Sequence, residues 1–322
     1  MKNKKEFAIV TVCSVFIVLL LVLNLAVGTF FHYYSIVSVK KEDDYSDIVI
    51  SRSDEYLSEV ADVEIELPEK DTFSGNGIMN ILLIGTDEHT EVLNKASRAD
   101  SIMLLSLNNS TYDIKLVSFE RDTFVAIPKV PKRNPDKLGH TFRFGGAELL
   151  METLETHFGL DVSQYVRVNF SVFKKLIDEI GGVDITLTRS EANIVRYSTK
   201  LTIREGLNHL DGDAALCYAR IRSLDSDWMR VKRQQNVIIA IKNSFSQKSV
   251  SELKEIFDAC LPYIQTNLSA YECAELLLNI TKYANGNVSR MTLPEKGTFH
   301  NLKKVDFDAN REILRKFLYD SD

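Results

Sequence analysis

The basic residues that could do chemistry are concentrated in residues 218–235, which hold four arginines and one lysine in a 322-residue chain of formal net charge −6. A guanidinium group is planar, always charged and suited to paired hydrogen bonds with phosphate oxygens. If residues 219–222 are extended, Arg220 and Arg222 point to the same side, because strand side chains alternate with period two. This spacing predicts a phosphate or pyrophosphate clamp.

The second half of the segment predicts a helix that begins near Trp228. On that helix Arg230, Arg233 and Gln234 occupy positions i, i+3 and i+4, so their side chains share one face. The two halves together would aim several guanidinium groups at one place. The alternative is a solvated basic surface whose charges pair with neighbouring acidic residues, Asp225 and Asp227. From the segment alone both interpretations stay open.

Acidic residues stand at the ends of predicted strands. Asp87 follows a first strand, Asp100 precedes a second, and Arg121 and Asp122 follow a third. Antiparallel pairing would put Asp100 and Arg121 at one end of the sheet, and the first strand can bring Asp87 there, where ligands of open α/β sheets usually bind. Two carboxylates near arginines predict Mg²⁺ (or Mn²⁺), which binds a few carboxylate oxygens together with phosphate oxygens and water. The alternative is a structural salt bridge between each aspartate and an arginine.

The elements that must position these side chains alternate between strand and helix patterns. Apolar runs and alternating segments predict strands at residues 78–84, 102–107, 112–119, 164–170, 183–187 and 288–293. Apolar residues at helical spacing predict helices at residues 146–158, 171–180, 228–244, 250–258, 270–284 and 309–318. Interleaved strands and helices predict one α/β domain with a mixed central β-sheet covered by helices.

The N-terminal part of the chain predicts a membrane anchor. Residues 7–31 are nearly all apolar and carry no charge, and as a helix they are long enough to cross a bilayer. Lysines precede them and an acidic segment follows, so residues 1–6 are expected in the cytoplasm and the rest outside the cell membrane. A cleaved signal peptide is the alternative. The chain would continue as an acidic stem (32–76) and an extracytoplasmic domain (77–322).

Composition narrows the function classes further. The chain has 45% hydrophobic and 26% charged residues, which is typical of a globular protein, and its acidic balance argues against a general nucleic-acid binder. The four cysteines form no CxxC pair and no Cys/His cluster, so a zinc site is not expected. A disulfide between Cys260 and Cys273 is one option, and at least one other thiol then stays free.

Seven motifs resemble those of the LytR-CpsA-Psr family and occur in the family's order. The joint pattern is far more specific than any single piece. The motif core spans residues 80–240, half of the chain, and is followed by a helical part at 241–322. The motifs are NILLIGTDEH (80–89), SRADSIMLLSL (97–107), SFERDTFVAIP (118–128), DKLGHTFRFGG (136–146), VNFSVFKKLIDEIGGVDI (168–185), LDGDAALCYARIR (210–222) and RVKRQQ (230–235).

The resemblance implies a membrane-anchored, magnesium-dependent phosphotransferase of Gram-positive-type cell walls. Such enzymes move a glycopolymer, for example teichoic acid or capsular polysaccharide, from a polyprenyl pyrophosphate carrier to a peptidoglycan sugar hydroxyl through a phosphodiester bond. The implied partners are the lipid-linked glycopolymer, peptidoglycan and the membrane, and no nucleic acid. Two alternatives remain, a hydrolase of the same lipid and a non-catalytic module that binds wall polymer.

The motifs also assign roles to residues. The resemblance implies that Asp87 and Asp100 hold the metal and that the pyrophosphate is bound by Arg98, Arg121, Arg220, Arg222, Arg230 and Gln234. Lys137 matches a lysine of the family's motif, and the shared helix face adds Arg233 to the pyrophosphate set.

Two further expectations concern the chemistry around this set. Arg121 and Asp122 are the catalytic candidates, and Asp122 would either orient the attacking hydroxyl or brace Arg121. Glu120 departs from the usual motif and is expected to add a negative charge beside the clamp. A polyprenyl tail would need an apolar tunnel, which we expect under the sheet beside helix residues such as Leu150, Leu154 and Ile177.

Overall fold

The computed structural model describes residues 72–87, 97–130 and 135–320, which form an alternating series of strands and helices. In chain order the elements are β1 (Ile78–Thr86), β2 (Ala99–Asn108), β3 (Ile114–Phe119), β4 (Phe124–Val125), β5 (Asp136–Lys137), α1 (Leu138–Phe158), β6 (Gln164–Asn169), α2 (Phe170–Ile180), β7 (Val183–Leu187), α3 (Arg189–Thr199), β8 (Gly206–Leu210), α4 (Gly212–Ala219), α5 (Asp227–Phe245), α6 (Val250–Cys260), β9 (Gln265–Thr266), α7 (Ala270–Asn285), β10 (Val288–Leu293), β11 (Phe299–Asn301), β12 (Lys304–Val305) and α8 (Phe307–Tyr319).

The central sheet has six strands in the order β10-β3-β2-β1-β6-β9. β2 is antiparallel to both β1 and β3, β6 runs parallel to β1, and β10 runs parallel to β3. The mixed sheet predicted from the sequence is therefore confirmed. The pairings also make β1, β3, β6 and β10 point the same way, so their carboxyl ends and the start of β2 meet at one edge, which we call the site edge.

The two faces of the sheet are covered by different helices. On one face β1 and β2 contribute Leu82, Ile84, Ile102 and Leu104 to a core shared with α1 and α8. The opposite face is covered by α2 and by α5, α6 and α7. Alternate side chains of a strand point to opposite faces, so each strand contributes to both layers.

Local signals in the sequence explain where α2 begins and ends. The Asn169 side chain accepts a hydrogen bond from the Val172 amide (3.0 Å), which caps the first turn. Gly181 ends the helix at φ 90°, a left-handed conformation that glycine adopts without strain. A capping box formed by Ser269 and Glu272 starts α7.

One local expectation is wrong and two others are incomplete. Residues 219–222 are not extended, because α4 continues to Ala219 and an irregular segment follows it. The helix expected at residues 146–158 is present as the part of α1 that follows a kink at Gly145 and Gly146, and the helical residues before the kink, from Leu138, were not predicted. The strand at 183–187 pairs with β8 in a separate hairpin rather than joining the central sheet.

The cysteines and the predicted anchor complete the comparison. Cys217, Cys260 and Cys273 are all free thiols, so the optional disulfide is not formed. Within residues 72–87, 97–130 and 135–320, no helix has the length and apolar character needed to cross a membrane. The predicted span at 7–31 lies outside the described residues, and it stays a prediction together with the tail, stem and domain boundaries.

Candidate functional site at the edge of the sheet

Strand register brings the two metal candidates to the site edge. The β1–β2 pairing ends with Thr86 opposite Ala99, and a register shift just before this pair leaves Asp100 at the edge. Asp87 directly follows β1 and is exposed. Arg98 directly precedes β2 and is also exposed. Both aspartates therefore lie where their sequence positions predict.

A network of ion pairs connects Asp100 to the residues that follow β3. Asp100 accepts a short hydrogen bond from Arg121, and Nη2 of Arg222 lies 3.8 Å from its second oxygen. Asp122 lies 3.7 Å from Nε of Arg121 and 3.7 Å from Nζ of Lys137. The structure thus brings together five residues from four of the quoted motifs. In this arrangement each aspartate is braced by two cations.

Arg230 adds a buried guanidinium at the start of α5. Its side chain is 3% exposed, and its Nη2 donates to Asp227 at 2.5 Å. Nε and Nη1 are buried and find no acceptor within the described parts of the chain. Burial, followed by the nearby charge of Arg121, lowers the pKa of Arg230, and Arg222 acts in the same direction. Buried donors without acceptors are costly, so this corner of the site is suited to the oxygens of an anionic ligand.

Glu120 lies beside this guanidinium and differs from expectation. It is 1% exposed, and neither of its carboxyl oxygens meets a hydrogen-bond donor in the described ranges. The pKa of Glu120 is raised to about 8. Burial is the largest cause of this rise, and the facing carboxyl of Asp227 is the next. A pKa near 8 favours the protonated, neutral form of Glu120 at neutral pH, in contrast to the negative charge expected from the sequence.

Arg220 and Gln234 lie a little apart, where the site edge meets a cavity. The guanidinium carbon of Arg220 is 4.3 Å from the centre of the Phe170 ring, a cation–π contact with the first residue of α2. Arg220, Phe170 and Gln234 all line the mouth of this cavity, together with Ser101 from β2.

Arg233 is a predicted pyrophosphate ligand whose three guanidinium nitrogens each donate to a protein acceptor. It is 2% exposed and donates to Glu191 (2.7 Å), to the carbonyl of Ile221 (3.0 Å) and, through a short hydrogen bond, to Asp225. Burial acts to lower the pKa of Arg233, but the hydrogen bonds with Asp225 and Glu191 outweigh it and raise the pKa. In this structure Arg233 holds the irregular segment after α4 against α3 instead of reaching the site.

The cavity is a long apolar space of about 440 Å³ between the sheet and the helices α2, α5, α6 and α7. It runs along β2 from Ser101 at the site edge to Leu107 at the far end. The tunnel was expected beside Leu150, Leu154 and Ile177, and this expectation is wrong. Leu150 and Leu154 pack in the core on the opposite face, and Ile177 is turned into a core behind α2. Further lining residues are Leu83, Met103, Leu105, Val168, Leu176, Ile238, Cys260, Cys273, Leu276 and Ile280.

The residues at the site edge supply only some of the ligands that a small divalent cation needs. Asp87 and Asp100 offer the hard carboxylate oxygens that Mg²⁺ prefers. No group of three or more candidate ligands of the His, Cys, Asp or Glu type occurs in the part of the chain that the structure describes. A cation here would take its remaining ligands from substrate oxygens and water, which is usual for Mg²⁺ at phosphate sites.

Sequence patterns gave no sign of several residues that shape the site. Glu191 lies 42 positions before Arg233, and no periodic signal connects the two. In the sequence Phe170 cannot be distinguished from an aromatic residue of the core. In the structure α2 places its ring against the guanidinium of Arg220. Asp227 was considered only as a partner for a solvated charge, whereas it links Glu120 to Arg230.

The comparisons of this chain with known proteins agree on one family. The LytR_cpsA_psr family model matches residues 37–319. The polyisoprenyl-teichoic acid–peptidoglycan teichoic acid transferase TagU of Enterococcus faecalis is 30% identical over 299 residues, covering 92% of this chain and 89% of the relative. TagU of Bacillus mycoides is 31% identical over 248 residues, covering 73% of this chain and 78% of the relative. The solved structure of TagT bound to LIIa-WTA has a TM-score of 0.61 at 25% identity, covering 79% of this chain and 96% of that one.

Proposed function

The chain belongs to the LytR-CpsA-Psr family, and from this premise we propose that it is a phosphotransferase that moves a glycopolymer such as teichoic acid from a polyprenyl pyrophosphate carrier to peptidoglycan. The relatives named above are transferases of teichoic acid from a polyisoprenyl carrier to peptidoglycan. One observation of this chain carries the proposal. The arginines converge at the point where the long apolar cavity opens onto the site edge.

This geometry matches the chemistry of a lipid pyrophosphate. The cavity accepts an apolar chain away from water, and its mouth presents Arg220 and Gln234 next to the ion-paired cluster. Among the residues that the structure describes, Nε and Nη1 of Arg230 meet no protein acceptor, which suits a binding site for phosphate oxygens. A non-catalytic module that binds wall polymer would gain nothing from acidic side chains in this basic site.

In the proposed reaction a sugar hydroxyl of peptidoglycan attacks the phosphorus that carries the glycopolymer. A new P–O bond forms to the sugar, the bridging P–O bond of the pyrophosphate breaks, and polyprenyl phosphate leaves. The hydroxyl proton passes to a base, and the candidate is Asp122, a partly exposed carboxylate 3.7 Å from Nε of Arg121. Arg121, Arg222 and Arg230 hold the phosphate oxygens in place and offset their charge, which is the main requirement of phosphoryl transfer.

We further propose that Asp87 and Asp100 hold Mg²⁺ (or Mn²⁺) when the lipid is bound. Such a cation would supply additional neutralisation of charge on the phosphate oxygens. Asp100 also binds Arg121 and Arg222, so this aspartate would orient the arginines and the cation around the same phosphates.

The proposed location is the cell membrane, with one span at residues 7–31 and the domain after it outside. Its support is the uncharged apolar run and the lysines before it. Protease added outside intact cells should digest the domain, and digestion from the cytoplasmic side alone would contradict this topology.

The test of function uses the full-length protein in detergent, lipid-linked glycopolymer and uncrosslinked peptidoglycan. We expect glycopolymer to become covalently attached to peptidoglycan, and Arg121→Ala or Asp100→Ala to lower the rate by about 10² or more. Lys232→Ala removes an exposed positive charge from the same helix as Arg230 and should leave the rate nearly unchanged. Release of free glycan phosphate without attachment would indicate a hydrolase, and full coupling by both site variants would contradict the proposed site.

A further inference from the structure

Glu120 is a buried acid that the proposed reaction does not use. Its backbone is fixed, because its amide donates to the carbonyl of Leu293 at 2.8 Å. Its side chain is 1% exposed, and both carboxyl oxygens lack a donor in the described residues. The groups that face it are the carboxyls of Asp227 and Asp122 and the guanidinium of Arg230. A carboxyl in such a place is costly when ionised, which explains why it keeps its proton.

The proton decides what Glu120 can do for its neighbours. Two ionised carboxylates are both acceptors and cannot hydrogen-bond to each other. A protonated Glu120 can donate to Asp227, which in turn accepts from Nη2 of Arg230 at 2.5 Å. This arrangement leaves Nε and Nη1 of Arg230 available for a ligand.

We propose that Glu120 is a positioning residue of the pyrophosphate site, whose protonated carboxyl holds Asp227 and thereby Arg230 ready for the ligand, and whose loss of the proton weakens ligand binding. This inference rests on the proposed function, because it takes a pyrophosphate as the ligand. Glu120 itself is too buried to touch the reacting atoms.

A count of formal charges shows why the proton matters. With Glu120 neutral, four positive groups, Arg121, Arg222, Arg230 and Lys137, face three negative ones, Asp100, Asp122 and Asp227. Ionised Glu120 cancels this excess of one positive charge before an anionic ligand arrives. It also attracts the two free donors of Arg230, for which the phosphate oxygens then have to compete. Both effects weaken binding of the ligand. By thermodynamic linkage, bound ligand therefore increases the protonated fraction of Glu120.

The size of the effect follows from the protonated fraction. Burial and Asp227 raise the pKa of Glu120 to about 8. Roughly nine-tenths of the molecules are then competent at about pH 7 and one-tenth at about pH 9, and the apparent Kd rises as the competent fraction falls. If only the protonated form binds, the Kd for the ligand increases about tenfold between these two pH values.

The experiment measures binding of farnesyl-pyrophosphate-linked N-acetylglucosamine to the full-length protein by calorimetry at about pH 7 and about pH 9. This probe is a pyrophosphate diester, so it has no proton of its own to lose in this range. The wild type should show the tenfold weakening, and Glu120→Gln, which imitates the neutral acid, should show less than about twofold. Glu255→Gln makes the same chemical change at an exposed position of α6 and should behave as the wild type.

A second measurement needs no variant. At about pH 8 the wild type should take up a fraction of a proton, up to about one half, on binding, seen as heats that depend on the ionisation enthalpy of the buffer. A wild-type Kd that does not change with pH, or a Glu120→Gln protein that keeps the tenfold weakening, overturns this inference alone. Absence of binding at either pH overturns the proposed function and this inference with it.

Discussion

The apolar cavity sets a limit on how much of the proposed polyprenyl ligand the protein would hold, and this limit can be measured. The cavity follows β2 from Ser101 to Leu107, six residue steps, or about 20 Å at the rise of an antiparallel strand. A prenyl unit extends the lipid by four backbone bonds, or about 5 Å. The cavity should therefore hold about four prenyl units, and further units should add little to the affinity.

The gain for each enclosed unit can be bracketed. Five carbon atoms at about 0.3 kcal/mol each, a typical efficiency for bound ligands, give about 1.5 kcal/mol, or about tenfold in Kd. Complete transfer of the same carbons from water, at about 0.8 kcal/mol for each buried CH₂, gives an upper limit of about 4 kcal/mol. The expected slope is therefore at least about tenfold for each prenyl unit until the cavity is full.

The assay titrates the full-length protein with prenyl pyrophosphates of increasing length, from geranyl through farnesyl and geranylgeranyl to longer chains. Leu105→Trp fills the cavity four residue steps beyond Ser101, about 14 Å from the mouth, so its plateau should come one to two units earlier. Leu207→Trp makes the same change at an exposed position of β8 and should keep the wild-type plateau. Comparing the two variants cancels partition of the lipid into detergent. An affinity that does not change with the length of the prenyl chain would refute the placement of the lipid tail in this cavity. Plateaus at the same chain length for both variants would refute it as well.

Two further predictions concern groups buried around the site. Arg233→Met leaves the carboxylate of Glu191 buried without its main partner, so the free energy of unfolding in urea should fall by about 3 kcal/mol. Adding Glu191→Gln to this variant should recover part of the lost stability. A fall of less than about 1 kcal/mol in the single variant would contradict the bracing role of Arg233. Burial raises the pKa of the Cys260 and Cys273 thiols to about 11, so at about pH 8 they should react with iodoacetamide about 10²-fold more slowly than in the unfolded chain. Bound prenyl lipid should slow this reaction further, and unchanged rates would place the lipid elsewhere.

Much of the architecture follows from local pattern. The residues of β1 form a continuous apolar run, and the antiparallel pairing of the second and third predicted strands is present as β2 and β3. Once these strands are antiparallel neighbours, Asp100 and Arg121 must share an edge, and the structure shows them in contact. The helices were recognised from the helical spacing of their apolar residues. These features depend on residues close in sequence, which is why they could be predicted.

The features that could not be predicted depend on burial by distant elements. The charge state of Glu120 depends on α5 covering it, and nothing in the residues around position 120 indicates that cover. The role of Arg233 depends on Glu191, which lies on a different helix. The face of the sheet that carries the cavity depends on how closely each helix layer approaches the sheet, which involves residues far apart in the chain.

The alternation of side chains along the strands separates stability from function in this fold. In β1 and β2 the side chains of Leu82 and Leu104 point into the closed core and are fully buried. Their neighbours Leu83 and Leu105 point to the opposite face, where they line the cavity and are only partly covered. Truncating a fully buried leucine to alanine typically costs 2–5 kcal/mol of stability, whereas a leucine that borders an open cavity has fewer contacts to lose. One residue step along a strand therefore changes which property a substitution affects, and the cavity-lining positions can adapt to a lipid without weakening the core that holds the site edge in place.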